Sequence, residues 1–455
     1  MHDHQRVHVH TIAEPCIAAT ELRLKRVLLI SSDVIGPAMA GPGIRDYHLA
    51  LELARRFDVT VMAPAGSVPA ADHPRLIEAE PDRYRQIKEI RQAFDVVIAE
   101  RLEVRAMLHL ARTRTRTIYD LYVPIMTEQL NAHGAAPAGR DARRRYQLAC
   151  LLQAIAALTG DSLVCASERQ RDFWLGVLAG GGRVDLELHR RDPTLRSLID
   201  TVPFGIEARP PEHERRVVKG VVPGISATDR VLLWGGGIWD WLDPLTPIRA
   251  VARLGETRRD VKLFFLGSTS PSPGSRETTM RRHAVALSRE LGVLNRSVFF
   301  NEDWVGYEDR QSFLLEADLG VSAHPDSVEA RFAFRTRLLD CLWAGLPIVC
   351  TRGDVLGDLV AERVLGRTVA PGDVDGWARA IAELLDDRRG YAHTQANIRT
   401  AREAFFWPAV VSRLADMVER SFTRGRVTPA VRALTLRYFS LRAEAALARS
   451  ARGPR

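Results

Sequence analysis

Short apolar runs alternate with stretches of helical periodicity throughout residues 26–206. Residues 26–32 are nearly continuous in apolar side chains, as a strand buried on both faces of a parallel sheet is. Residues 44–57 and 140–159 repeat their apolar positions every three or four residues, which predicts helices. Regular alternation of strands with helices predicts a doubly wound parallel sheet for this half of the chain.

The same alternation restarts at residue 230, after a proline-rich, charged and aperiodic segment, residues 207–229, that is typical of a domain boundary. A chain of 455 residues is too long for one compact core, so two domains are expected. We therefore predict two α/β halves that face each other across a cleft. Strands of the second half are predicted at residues 230–234, 261–266, 298–300, 317–323 and 348–351.

The two ends of the chain differ in character from these halves. Residues 1–24 are predicted to be a flexible tail, and residues 397–422 to be one helix kinked at Pro408. Residues 424–455 are rich in arginine and leucine and predict a basic amphipathic helix. That helix either packs on its own domain or docks on an anionic membrane surface.

Composition narrows the class of partner. The chain is 46% apolar and 26% charged, which is ordinary for a globular protein, and its net charge of +8 permits an anionic ligand or an anionic membrane surface. Aromatic residues make up 7% of the chain and do not interleave with basic ones as a stacking platform requires. Nucleic acid is therefore not an expected partner.

Cysteine usage and hydropathy predict a cytoplasmic protein. The five cysteines are odd in number, lack CxxC spacing and mostly sit inside apolar runs, which suits buried thiols in a reducing compartment. No run approaches the roughly 18 apolar residues of a membrane span. The N-terminus lacks the basic-then-apolar layout of a signal peptide.

Candidate chemistry concentrates in residues 322–360. An apolar strand ends there, Glu329, Arg331, Arg335 and Arg337 follow close together, and a helix then begins. Ligands of open α/β sheets bind at the carboxyl ends of strands, and guanidinium groups at a helix start favour phosphate. This pattern predicts a site for an anionic, hydroxyl-bearing ligand, with a solvated basic face as the alternative.

A glycine-rich segment, DVIGPAMAGPG, links the first strand to the first helix. Gly36, Gly41 and Gly43 do not reproduce the GxGxxG spacing of a dinucleotide fingerprint. The segment is interpreted as a loop that lets backbone approach a phosphate or a sugar, with Arg45 aimed the same way. The alternative is a tight turn that needs glycine for geometry alone.

Six segments together carry a resemblance to a known family. They are GPGIR and PFGI in the first half, and GGGIWDWLDPLT, DVKLFFLGS, NEDWV and EARFAFRTRLLDCLWAGLPIVCTRGD in the second. Over residues 26–422 the chain resembles the GT-B-fold retaining glycosyltransferases of the family 4, or group 1, type. The resemblance implies two Rossmann-like domains, residues 25–206 on the acceptor side and 230–396 on the nucleotide-sugar donor side. It also implies a helical extension, residues 397–455, whose first helix crosses back to the first domain.

The resemblance further implies a pair of acids near the AGLP turn. The second acid of the family usually binds the ribose hydroxyls, and Asp340 occupies its place, one carbon shorter than the customary glutamate. The first acid usually contacts the donor sugar. Glu329 is the candidate, although it lies farther from Asp340 than the family's usual spacing.

Many members of the family hold the diphosphate with an arginine and a lysine after the first strand of the donor domain, and this chain has no lysine there. We expect other arginines and the amides of the glycine turns to replace them. Residues 301–305 are expected to hold the base through backbone edges. The catalytic candidates are Glu329, Arg335 and Arg337, the two arginines because they would meet the charge of the diphosphate. The candidates for donor binding are Asp340, Arg45, Gly236, Gly237, Gly41, Gly43, Asp303, Trp304 and Val305, with Trp304 as plain packing equally open.

Two further points complete the expected site. Tyr119 and Asp120, at the end of a predicted strand, are candidates to position the acceptor, with Asp120 as a turn residue equally open. Asp373 and Asp375 form a DxD-like pair at a helix start, where capping is the ordinary explanation. No metal is therefore assigned, and no cofactor beyond the nucleotide-sugar co-substrate.

These inferences predict a glycosyltransferase of the hexosyltransferase type that moves a sugar, with retention, from a nucleotide-diphospho-sugar to a glycan, lipid-linked or small-molecule hydroxyl. The resemblance implies a role in polysaccharide or glycolipid synthesis, in the cytoplasm or at the inner face of the membrane. A nucleotide-sugar epimerase and a nucleotide-sugar-binding protein without catalysis are the alternatives, the second because of the missing lysine. A Rossmann oxidoreductase is disfavoured by the glycine spacing.

Overall fold

The computed structural model describes residues 24–100, 102–131, 139–267, 277–303, 305–420 and 424–450. Within these ranges, seven parallel strands form one sheet in the order β3-β2-β1-β4-β5-β6-β7. We call this sheet and the helices that pack on it the N-terminal lobe. Its strands are β1 (Arg26–Ile30), β2 (Asp58–Ala63), β3 (Arg75–Glu78), β4 (Val96–Ala99), β5 (Arg116–Asp120), β6 (Ser162–Cys165) and β7 (Ile199–Thr201).

A second parallel sheet has six strands in the described ranges, in the order β10-β9-β8-β11-β12-β13. We call this sheet and its helices the C-terminal lobe. Its strands are β8 (Arg230–Trp234), β9 (Val261–Phe265), β10 (Val298–Phe300), β11 (Leu319–Ser322), β12 (Ile348–Thr351) and β13 (Gly366–Val369). The predicted fold class, two parallel α/β sheets with a helical extension, is confirmed.

Helices connect successive strands in both lobes, except that a loop without a helix, residues 64–74, joins β2 to β3. Those of the N-terminal half are α1 (Gly41–Leu53), α2 (Arg83–Ile90), α3 (Val104–Leu110), α4 (Ile125–Asn131), α5 (Arg140–Thr159), α6 (Glu168–Gly180) and α7 (Leu186–Arg191). Those of the C-terminal half are α8 (Leu245–Leu254), α9 (Thr279–Glu290), α10 (Arg310–Glu316), α11 (Val328–Phe332), α12 (Thr336–Ala344), α13 (Val355–Glu362) and α14 (Val374–Asp386). The extension contains α15 (Arg388–Ala401), α16 (Trp407–Glu419) and α17 (Pro429–Ser450).

The sequence pattern identified the central strands, because these are buried on both faces and read as apolar runs. It missed β3 and β13, which lie at the outer edge of their sheets. Both are four residues long and carry polar side chains, so neither forms an apolar run. Edge strands are often short and polar, which limits pairing with other chains.

The predicted single helix over residues 397–422 is wrong at Pro408. The chain there forms α15, a 3-10 turn (Arg402–Phe405) and then a new helix, α16, with Pro408 in its first turn. Proline is tolerated at that position because its missing N–H would have no partner inside the helix. Pro408 therefore starts a helix and does not kink one.

Helix α16 crosses back to the N-terminal lobe, as the family resemblance implied, and two cations anchor its end there. Lys25 Nζ donates to the carbonyls of Val418 and Glu419, at 2.9 and 3.0 Å. The buried Arg116 guanidinium donates through Nη1 to the carbonyl of Arg420, at 2.9 Å. The last carbonyls of a helix have no partner within it and carry partial negative charge, so these cations both pair them and stabilise the dipole.

Helix α17 packs along α5 of the N-terminal lobe. Val431, Leu441 and Ala445 face inward and are buried. Packing on its own domain, one of the two alternatives from the sequence, is thus confirmed for that face. No helix in the described ranges has both the length and the hydropathy needed to cross a membrane.

The two lobes meet where the chain crosses between them. Ile206, on the way out, pairs in parallel with Phe406, on the way back, and Ile206 N–H donates to the Phe405 carbonyl at 2.8 Å. On another side of the cleft, Gln170 Nε2 of α6 donates to the carbonyl of Phe332 at 2.9 Å. The carboxyl ends of the central strands of both sheets therefore border a shared cleft.

Candidate functional site

The C-terminal lobe turns sharply after β8, through Gly235, Gly236 and Gly237. Gly236 has a φ of 80°, and its carbonyl carbon lies so near Gly267 that a Cβ there would come within 2.7 Å. Arg337, in the first turn of α12, reaches this turn: its Nη2 donates to the Gly237 carbonyl at 3.0 Å. The structure thus brings together three of the residues predicted to bind the diphosphate.

Arg337 is a largely buried cation without a carboxylate partner among the described residues. Its guanidinium lies over the Trp234 ring, 5.0 Å from the ring centroid, and its Nη1 has no hydrogen-bond partner within the described part of the chain. Burial, together with the like charge of Arg335, lowers the pKa of Arg337. This arrangement favours an anion beside the β8 turn.

Arg335 is engaged differently from the prediction. Its Nη1 and Nη2 donate to the two carboxylate oxygens of Glu329, at 2.8 and 2.6 Å, in a bidentate pair. The side chains are 6% and 2% exposed. The pair leaves neither partner facing the cleft as an independent ligand group, so a direct contact of Arg335 with phosphate or of Glu329 with sugar is not what this structure presents.

A second acid and a histidine extend this buried pair. Asp354 Oδ2 lies 3.6 Å from Arg335 Nε and 3.3 Å from His324 Nε2. Its other oxygen accepts from Gly357 N–H at 2.6 Å and so caps α13. The cluster links the ends of β11 and β12 to the start of α12, which holds the loop before Arg337 in place.

Asp340 lies on the face of α12 that meets α10. Its Oδ1 accepts from Arg310 Nε at 3.3 Å, and the side chain is 36% exposed, so a ligand in the cleft can reach it. Arg310 is itself enclosed by two rings, with its guanidinium carbon 3.5 Å from the centroid of Tyr307 and 4.5 Å from that of Trp343. The carboxylate predicted to bind ribose is therefore accessible, and an ordered cation holds it.

A polar joint connects this region to the N-terminal lobe. Tyr307 Oη donates to Glu207 Oε1 at 2.8 Å and lies 2.8 Å from Nε2 of His48, on α1. Because the single hydroxyl proton goes to Glu207, His48 must donate from Nε2. Burial, aided by the positive charge of Arg310, lowers the pKa of His48 to about 3. His48 is thus neutral between pH 5 and 8.

Arg45 and Asp120 form an ion pair at the carboxyl ends of β5 and β7 in the N-terminal lobe. Arg45 Nε donates to Asp120 Oδ2 at 2.6 Å, and Nη1 and Nη2 donate to the carbonyls of Pro203 and Val202, both at 2.8 Å. Both side chains are buried. Arg45 therefore connects the ends of β5 and β7 and is not available to bind diphosphate. Asp120 Oδ1 accepts from Tyr122 N–H, the turn role left open by the sequence.

Tyr119, Gly41 and Gly43 also differ from expectation. Tyr119 is buried in the core of the N-terminal lobe, against Gly160, because adjacent residues of a strand point to opposite faces. It is thus not on the surface of the cleft.

Gly41 and Gly43 lie in the first turn of α1, where a Cβ on Gly43 would meet the Val34 carbonyl at 2.4 Å. Close packing accounts for Gly43, while Gly41 faces open space.

The segment predicted to hold the base follows β10. Asn301 Nδ2 donates to the carbonyls of Leu266 and Asp303, at 3.0 and 2.8 Å, which fixes a turn at the edge of the cleft. Asp303 is exposed and Val305 is half-buried. Trp304 lies outside the described residues.

At the other end of the lobe, Asp373 caps α14 through Gly376 N–H, as the sequence pattern indicated.

Sequence reasoning missed the contacts that reach across the cleft. Helix α11, which carries Glu329, packs on α4 and α6 of the other lobe, and the rings of Phe332 and Phe173 lie 5.1 Å apart. Between Glu329 and Asp340 the chain completes α11 and begins α12. The spacing of the two acids was visible in the sequence, but spacing cannot say which surface α11 will contact.

Comparison with known proteins agrees with this architecture. Residues 229–387 match the family Glycosyl transferases group 1. The D-inositol 3-phosphate glycosyltransferase of Mycolicibacterium smegmatis is 27% identical over 239 residues, 52% of this chain and 50% of that protein. The enzyme of the same name from Corynebacterium diphtheriae is 27% identical over 43% of each chain. The chain thus spans about half the length of the curated relatives it matches.

Solved structures extend the likeness to most of the chain. Anabaena HepE in complex with UDP and glucose has a TM-score of 0.60 at 13% identity, covering 87% of this chain and 99% of its own. WaaG, a glycosyltransferase involved in lipopolysaccharide biosynthesis, has a TM-score of 0.58 at 18% identity, covering 87% of this chain and 100% of its own. The C-terminal lobe is thus similar to the group 1 glycosyltransferases, and the chain has the GT-B fold. The retaining, family 4 assignment stays a prediction.

The buried pair generates a prediction about stability. Arg335→Met alone leaves Glu329 buried without its counter-charge, and we expect a loss of about 3–5 kcal/mol in the free energy of unfolding of the C-terminal lobe. The double variant Glu329→Leu with Arg335→Met removes both charges and should recover most of that loss. Urea denaturation of both variants measures this. Equal destabilisation in the single and double variants would contradict a mutually compensating pair.

Proposed function

We propose that this protein transfers a sugar from a nucleotide-diphospho-sugar to an acceptor hydroxyl. The observation that carries the proposal is Arg337, a largely buried guanidinium with no carboxylate partner among the described residues, beside the glycine turn after β8. A diphosphate leaving group supplies the missing negative charge and receives hydrogen bonds from the guanidinium. As the bond from sugar to phosphate breaks, negative charge grows on the phosphate, and a preoriented cation stabilises it.

The proposed donor site combines Arg337 with Asp340 and the segment after β10. Arg337 and the amides of the β8 turn would bind the diphosphate, Asp340 the ribose, and residues 301–305 the base. UDP-glucose is the first donor to test, since a structure of the similarly folded HepE was solved with UDP-glucose. The catalytic role predicted for Arg335 and Glu329 becomes one of support, because they hold the segment that leads into Arg337.

We propose that transfer retains the anomeric configuration by attack on the face that the leaving group departs from. The acceptor oxygen bonds to the anomeric carbon as the bond to phosphate oxygen breaks, and the acceptor proton passes to that phosphate oxygen. A double displacement needs a carboxylate nucleophile, and Glu329 is a poor one because both of its oxygens accept hydrogen bonds from Arg335. This supports the route in which the donor phosphate acts as base.

The same geometry generates a test that links activity to stability. Arg337→Leu should lower turnover of the best nucleotide-sugar at least tenfold, because a charge-assisted contact to diphosphate is worth about 1.5–3 kcal/mol. It should also keep or raise the midpoint of thermal unfolding, since it removes a buried cation that has no counter-charge. Release of nucleotide from UDP-, GDP- and dTDP-sugars, with acceptors supplied from cell extract, measures turnover.

The alternatives give different results in that assay. Epimerisation or hydrolysis that needs no acceptor would identify an epimerase. Tight nucleotide-sugar binding without turnover would identify a binding protein that has lost catalysis. Arg337→Leu with unchanged affinity and unchanged turnover would remove Arg337 from the donor site and with it the main support for the proposal. Arg258→Leu, which breaks an ion pair with Asp260 away from the cleft, is a control for unspecific loss.

We also propose that the protein works in the cytoplasm, on an anionic membrane surface that it contacts through α17. Opposite its buried face, α17 exposes an apolar stripe. It is formed by Leu436, Leu447 and Phe439, whose exposed fractions are 72%, 71% and 37%. Amphipathic helices with such a stripe and flanking cations bind anionic lipid headgroups. The flanking exposed cations are Arg432, Arg437, Arg442 and, 6.0 Å from the Phe439 ring, Arg105.

Vesicle binding tests this surface. The wild-type protein should sediment with vesicles that contain phosphatidylglycerol and should not sediment with pure phosphatidylcholine. Leu436→Glu places a charge in the stripe and should lower binding at least about fivefold, given the cost of burying a charge in an apolar layer. Leu186→Glu, at another exposed leucine, should bind like the wild type. Equal binding by Leu436→Glu would contradict the assignment.

A further inference from the structure

We propose that Arg310 is a positioning residue for the donor: it sets the orientation of Asp340 toward the ribose and connects that carboxylate to the joint between the lobes. The inference rests on the proposed function, because a ribose is present only if the donor is a nucleotide-sugar. Arg310 itself would not touch the donor.

The first step in the argument is that Asp340 has one oxygen committed and one available. Oδ1 accepts from Arg310 Nε, and Oδ2 has no hydrogen bond within the described ranges. A hydrogen bond to one oxygen restricts rotation of the carboxylate and so narrows the range of positions of the other oxygen. Asp340 can therefore present Oδ2 to a ribose hydroxyl at little entropic cost, provided that Arg310 itself is fixed.

The second step is that two aromatic rings and hydrogen bonds along its edge hold the Arg310 guanidinium. The guanidinium stacks on Tyr307 and is flanked by Trp343, and its Nη1 donates to the Tyr307 carbonyl. Its Nη2 lies 3.4 Å from Glu207 Oε1. A planar guanidinium fits this arrangement, whereas an ammonium group at the end of a flexible chain does not.

The third step is that Arg310 is the shared counter-charge of two acids that belong to different parts of the chain. Asp340 is on α12 of the C-terminal lobe, and Glu207 is in the crossing between lobes. Glu207 also accepts from Tyr307 Oη, which contacts His48 of the N-terminal lobe. Movement at the joint therefore shifts the cation that orients Asp340, which makes donor binding dependent on how the lobes sit.

Ribose recognition provides a readout that a merely structural arginine would not move. Calorimetry first gives the dissociation constants of UDP, GDP and dTDP. For the nucleotide that binds most tightly, the measurement is repeated with an analogue that lacks the 3′-hydroxyl. If that nucleotide has a 2′-hydroxyl, an analogue without it is measured as well. We define the deoxy ratio as the dissociation constant of the deoxy analogue divided by that of the parent nucleotide. For the wild-type protein this ratio should be about ten or more for at least one analogue, as expected for loss of a charge-assisted hydrogen bond. Asp340→Asn should reduce the deoxy ratio to about three or less.

Arg310→Lys keeps the charge but loses the planar stack and the Nε donor. We expect its deoxy ratio to fall to that of Asp340→Asn, while Arg258→Lys, a cation paired with Asp260 and Asp386 elsewhere in the same lobe, keeps the wild-type ratio. Tyr307→Phe keeps the ring under the guanidinium and removes only the hydroxyl that links Glu207 to His48. Its ratio should lie between those of the wild type and Arg310→Lys, and the variant serves if Arg310→Lys does not fold.

The outcomes separate the two levels of the argument. If the wild-type protein binds none of the three nucleotides, the proposed function fails and the inference fails with it. If Asp340→Asn keeps the wild-type ratio, the ribose contact is wrong, and Arg310 has nothing to position. If Asp340→Asn loses the ratio but Arg310→Lys and Tyr307→Phe keep it, the donor site stands and the role of Arg310 is overturned.

Discussion

An arginine guanidinium that is taken out of water needs a negative or carbonyl partner, and this requirement organises the cleft. Arg45, Arg335 and Arg310 each meet it with groups of the protein: a carboxylate and two carbonyls, a bidentate glutamate, and two acids between aromatic rings. Arg337 meets it only in part, through one carbonyl. The cations that are satisfied internally hold the loops and lobes in place, and the one that is not, Arg337, is the cation proposed to bind an anionic donor.

The same requirement contributes to joining the two lobes around the cleft. The contacts between lobes are of two kinds. Apolar contacts lie where the chain crosses, at Ile206 and Phe406, and between α11 and α6, where Phe332 meets Phe173. Polar contacts lie around Tyr307 and Glu207. Because Arg310 belongs both to this polar joint and to the surroundings of Asp340, the position of the lobes is physically connected to the geometry of the proposed donor site.

The lysine that the family resemblance implies after β8 is absent, and the cation proposed to replace it comes from a different element. The β8 turn is built from three glycines, which lets Arg337 of α12 reach the Gly237 carbonyl from across the loop. The positive charge thus comes from the helix that follows the Glu329 segment, not from the turn itself. Arg335 and Glu329, which were predicted to act on the substrate, form a buried pair that holds the start of that helix, and they thereby support Arg337, the residue proposed to bind the diphosphate.

The sequence alone determined the two parallel sheets, the ends of α12 and the region in which the site lies, because buried strands and capped helices are set by local periodicity and by residues such as Gly345. It also indicated Arg337 and Asp340, through their place next to recognisable motifs. Only the tertiary structure decided which arginines are free. Arg45 and Arg335 look like Arg337 in sequence, but their partners, Asp120, Val202 and Glu329, approach only when the chain folds. Availability of a charged group depends on what surrounds it in space, and that information is not local.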